Sequence, residues 1–82
     1  MVNTKLLKAR MKEVGISQEK VAAELSLARP TVSQKLRNVR PMFLDEAEKL
    51  SNILGIAPSD FGTYFFVNEV AQSNNGGAAG GF

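Results

Sequence analysis

Residues 17–38, SQEKVAAELSLARPTVSQKLRN, decide how the rest of this chain is read. Ser17 is a good N-cap, and a polar first turn follows it. Val21, Ala22 and Leu25 then share one helical face. Ser26 and Leu27 interrupt the pattern. Pro30 suits the first turn of a second helix, where a missing N–H costs little. Val32 and Leu36, four apart, mark the inner side of that helix. Its outer side carries Arg29, Thr31, Ser33, Gln34, Lys35 and Arg37. A short helix with an apolar back and a front of Arg, Gln, Ser and Lys suits the major groove of DNA, where base edges present donors and acceptors.

Upstream of the motif, the spacing predicts a helix from about Thr4 to Val14, capped by Asn3 or Thr4. Leu7, Met11 and Val14 make its inner stripe, and Gly15 ends it. Lys5, Lys8 and Lys12 fall outside. The motif itself predicts helices over about Gln18–Leu25 and Arg29–Arg37. Downstream, Pro41 disfavours helix at Arg40, so residues 38–41 read as a loop. A fourth helix covers about Leu44 to Leu54, with Ala47, Leu50, Ile53 and Leu54 inward and Gly55 as its stop. Asp45, Glu46 and Glu48 crowd its first turn, where carboxylates complement the helix dipole. That placement accounts for them without a catalytic or metal role. A fifth short helix begins near Pro58-Ser59, with Ser59 as cap and Phe61 inward. Residues Thr63–Val70 are rich in β-formers and read either as a strand or as a continuation of that helix.

Composition narrows the function. Eighty-two residues allow one small domain with a modest core. The chain has neither Cys nor His, which argues against disulfides and a structural zinc site and excludes Ser–His and Cys–His catalysis. No stretch is apolar for long enough to cross a membrane, and the charged, amphipathic N-terminus is unlike a secretion signal. These features fit a cytoplasmic protein. No Gly-rich phosphate loop is present, and neither an enzyme, a cofactor nor a small-molecule partner is expected. The net charge of +2 hides an asymmetry: nine of the ten Lys and Arg lie in residues 1–40, with only three Glu. The motif therefore sits in the basic half, and a basic face supplies the salt-dependent part of DNA affinity.

At these residues the chain resembles the helix-turn-helix of phage Cro and repressor proteins and their bacterial relatives. The matching features are Gln18 opening the first helix, Ala22 at the close helix packing, Leu25-Ser26-Leu27 at the turn and Val32 within the second helix. The resemblance runs more loosely from Leu6 to about Phe61. Ser26 stands where the family usually has Gly, and Leu36 lies one position later than in the best-known phage repressors. The implied fold is all-α, a compact five-helix bundle of the phage-repressor helix-turn-helix type, with an extended C-terminal segment left open. The expected organisation is a domain over residues 1–71 and a disordered Gly-rich tail over 72–82.

The resemblance also implies a mode of action. The second motif helix would lie in the major groove with its N-terminal half against the bases. Arg29 would bond guanine and Gln34 adenine, each in bidentate fashion, with Ser33 close to a base edge. Pro30 or Thr31 would meet a thymine methyl. Gln18 matches a phosphate-contacting position, and Lys35, Arg37, Asn38 and Arg40 would follow the backbone around the helix end. Tyr64, Phe65, Phe66 and Val67 either close the core or form a homodimer or partner interface, which the resemblance favours. The implied protein is a Cro-like repressor of a phage or prophage genetic switch, acting on a double-stranded operator. Two alternatives stand beside it. The chain is similar to modulator-of-repression proteins of temperate Gram-positive phages, which would bind the cognate phage repressor through the helix-turn-helix face. An antitoxin shares the fold.

Overall fold

The computed structural model describes residues 1–67. Five α-helices follow one another: α1 Thr4–Val14, α2 Gln18–Leu25, α3 Arg29–Leu36, α4 Leu44–Leu54 and α5 Phe61–Phe65. A single 3₁₀ turn, Pro58–Asp60, leads into α5. There is no strand among the described residues, and the fold is all-α. The β-rich stretch continues the helix as far as Phe65; its last three residues and the tail lie outside the described part, as does the expected domain end at residue 71. No helix among the described residues is long and apolar enough to cross a membrane.

Local chemistry sets the helix ends. Asn3 caps α1, its side-chain oxygen accepting from Leu6 N–H at 3.1 Å. Ser17 caps α2 in the same way, accepting from Lys20 N–H at 3.2 Å. Gly15 ends α1 at φ 74° and Gly55 ends α4 at φ 65°, the left-handed conformation that a Cβ disfavours. Arg10 reinforces the second stop: its Nε donates to Leu54 O at 2.8 Å and its Nη2 to Gly55 O at 3.3 Å. Ser59 does not cap the last helical segment, whose 3₁₀ turn begins after Ala57.

The apolar faces meet in one core built from Leu7, Met11, Val21, Leu25, Val32, Leu36, Leu50, Leu54 and Phe65. Here α2 packs on α3 and α4, while α1 packs on α4 and α5. The α1 stripe is buried only as far as Met11; Val14, expected inside, is exposed. The N-terminal residues are joined to the end of α5 by backbone bonds from Asn3 N–H to Tyr64 O (2.7 Å) and from Val67 N–H to Met1 O (2.9 Å).

Candidate nucleic-acid interface

The turn between α2 and α3 is built by Ser26. It adopts the left-handed conformation at φ 57°, and Leu27 N–H closes the loop onto Ala22 O at 2.9 Å. This is a Schellman-type stop in which Gly would carry no steric cost. It turns the chain tightly enough for Ala28 to start α3 immediately. Ala28 provides no side-chain cap, and Pro30 occupies the first turn.

With α2 and α3 packed through Val21, Ala22, Leu25, Val32 and Leu36, their N-terminal ends share one open surface. Gln18 from α2 and Arg29, Pro30 and Ser33 from α3 line a single recess there. Arg29 and Pro30 are exposed; Thr31, Ser33 and Gln34 are half-buried. Residues eleven or more positions apart in sequence thus meet on one polar face. Beyond it, Arg37 and Arg40 are exposed, and Arg37 Nε–H donates to the Ser33 hydroxyl at 3.3 Å.

Three expected site residues lie elsewhere. Lys35 is not on the outer side of α3. Its side chain is 7% exposed and pairs with Glu46 at 2.6 Å. Its ammonium also donates to Pro41 O at 3.2 Å and sits 4.5 Å from the centroid of the Phe43 ring. The cause is angular: position 35 follows Val32 by three, so it lies on the flank of the buried face. Charge alone suggests the outside. Asn38 is also withdrawn. It ends α3 at φ 63°, accepts from Val2 N–H at 2.8 Å through Oδ1, and donates from Nδ2 to Val2 O (3.0 Å) and Thr4 Oγ1 (3.3 Å). Thr4 in turn donates to Leu36 O, so the N-terminus and the end of α3 are stitched together. Both residues position the helix rather than offer a free polar group.

Phe65 is the third. At 3% exposure it belongs to the core, with Tyr64 partly buried against it. Phe66 is 64% exposed and stands edge-on to Phe61, with ring centroids 5.4 Å apart. Val67 is half-buried. The aromatic run is thus divided between closing the core and facing solvent.

Glu46 and Arg10 carry structural work that local reading missed. Glu46 accepts from Phe43 N–H at 2.9 Å, the half of a capping box that a Phe cap still allows, while holding Lys35. A carboxylate three residues after a helix start was the available signal for the cap. Its tie to Lys35 had no sequence signal.

The short turn, the buried apolar backs and the polar face define a helix-turn-helix domain. A helix-turn-helix family model matches residues 7–61. The chain belongs to that family, in its Cro/repressor-type branch, and is a DNA-binding transcriptional regulator acting on double-stranded DNA. Among its relatives is the control protein C.BamHI of Bacillus amyloliquefaciens, 39% identical over 56 residues that cover 68% of this chain and 69% of the relative. The family is one of regulators rather than enzymes.

Proposed function

We propose that this protein is a Cro-like repressor of a phage or prophage genetic switch, reading its operator with the first half of α3. The observation that carries the reading is the shared recess: Gln18 at the start of α2 stands beside Arg29, Pro30 and Ser33 at the start of α3. Arg29 bonds guanine O6 and N7, and Gln34 reads adenine. Ser33 approaches a base edge, and Pro30 or Thr31 contacts a thymine methyl. Gln18 and the first N–H groups of α2 meet a phosphate, favoured by the helix dipole. Arg37 and Arg40 continue along the backbone and position the protein without specifying sequence. The identity to a control protein supports a regulatory role.

One domain of this size buries little surface on DNA, so two copies act on a pseudo-palindrome with half-sites about 34–36 Å apart. Phe66 and its neighbours Tyr64 and Val67 supply the contact between copies. Occupying a promoter then represses it.

The decisive measurement is anisotropy titration of a duplex selected by this protein from a random pool, against a scrambled duplex, over a range of salt. Strong preference for the selected duplex, reduced by Arg29→Ala, is expected, with a promoter reporter falling on expression of the protein. Dimer mass in light scattering, shifting to monomer in Phe66→Ser, is expected for the same state. Salt-sensitive binding without preference, together with altered DNA affinity of the cognate phage repressor on mixing, would overturn the repressor reading in favour of a modulator.

A further inference from the structure

We infer that Lys35 and Glu46 are a positioning pair for DNA reading: their ion pair orients α3 on α4 and so sets the angle at which Arg29, Ser33 and Gln34 face a duplex. This rests on the reading of α3 as the recognition helix.

Three parts of the chain meet at this pair. Lys35 lies in the last turn of α3, Pro41 and Phe43 in the connector, and Glu46 in the first turn of α4. The ammonium bonds Glu46 Oε1 at 2.6 Å and Pro41 O at 3.2 Å and sits against the Phe43 ring. The same Oε1 accepts Phe43 N–H at 2.9 Å. The two side chains are 7% and 14% exposed. Desolvating both charges offsets much of their attraction, and apolar side chains of similar volume are often as stabilising. What the pair adds is direction. A hydrogen-bonded ion pair holds one distance and angle, whereas apolar contacts tolerate sliding and repacking.

Direction matters here because α3, which packs on α2 through Val32 and Leu36, has its polar tertiary restraints at its far end. Its N-cap, Ala28, makes no side-chain hydrogen bond. The restraints at Lys35, Leu36 and Asn38 are all C-terminal. Eight residues span about 12 Å, so a tilt of about 5° at the anchored end displaces the Arg29 end by about 1 Å. A shift of that size degrades a bidentate base contact, which requires both hydrogen bonds to stay near ideal length.

The test compares the full-length protein with Lys35→Met/Glu46→Leu and with Glu46→Gln. Affinities for the selected and the scrambled duplex are measured over a range of KCl, well below each melting temperature. Expected for the double variant are a melting temperature close to the parent's, an unchanged salt slope, and a preference for the selected duplex reduced about tenfold, as for one misplaced base contact. Glu46→Gln keeps the size and an acceptor for Phe43 N–H, and should reduce the preference in the same direction by less. Parental preference in the folded double variant would overturn the inference, leaving the pair purely structural. Should that variant not fold, parental preference in Glu46→Gln would overturn it equally. A salt slope smaller by about one, with equal weakening on both duplexes, would instead make Lys35 a phosphate contact and overturn it. Failure of the parent to select any sequence would remove the DNA-reading function itself and the inference with it; a failure confined to the variants leaves that function standing.

Discussion

The two halves of α3 make opposite use of polar side chains. From Arg29 to Gln34 they stand on or beside an open recess with Gln18. From Lys35 to Asn38, just past its end, they are mostly tied into the fold: Lys35 to Glu46, Asn38 to Val2 and Thr4, and only Arg37 exposed. On the proposed reading, one helix is therefore both an anchor and a probe. A polar residue on such a helix is available to a ligand only where the fold has not buried it against distant parts of the chain.

Removing an anchor residue should cost folding, and removing a probe residue should cost binding. The largest effect belongs to Lys35→Ala, which leaves the half-buried Glu46 carboxylate without its cation. A loss of about 3 kcal/mol is expected in urea unfolding, against about 0.5 kcal/mol or less for exposed Arg37→Ala. Equal losses at the two sites would erase the distinction. Asn38→Ala comes next. It removes the clamp on Val2 and Thr4 and places Ala in a left-handed conformation, together about 2–3 kcal/mol in the same measurement.

The probe half should behave the other way. Arg29→Ala is expected to leave stability within about 0.5 kcal/mol and to weaken binding to the selected duplex by about 1–3 kcal/mol. A stability loss as large as that at Lys35 would place Arg29 among the anchors. The smallest effect is a gain. Ser26→Gly relieves the left-handed turn at φ 57° and should add about 1 kcal/mol or less, raising the melting temperature by a few degrees. Unchanged DNA affinity in that variant would show that the turn positions α3 without needing strain.

Much of the architecture was readable without coordinates. The limits of α1, α2 and α4 follow from caps, stripes and glycines, because these are interactions between residues within one or two helical turns. The end of α3 was overrun by one residue, since Arg37 is as good a helix former as its neighbours. The open half of the motif was visible from the 3.6-residue period, with Val32 and Leu36 inside and Arg29 and Ser33 outside. The period also places position 35 on the flank of the inner face, although the charge of a lysine points to the outside.

The sequence alone determined the class of the domain, its first four helices and the sharp turn before α3, because each depends on local periodicity and backbone preference. Tertiary structure alone decided which polar residues remained available. Lys35 and Glu46 are eleven residues apart, and Asn38 and Val2 thirty-six apart. Hydrogen bonds over such separations arise only when packed helices bring the groups together. The division of Phe65 and Phe66 between core and surface has the same origin: the packing of α1 against α5 gives one ring a cavity to fill and leaves its neighbour in solvent.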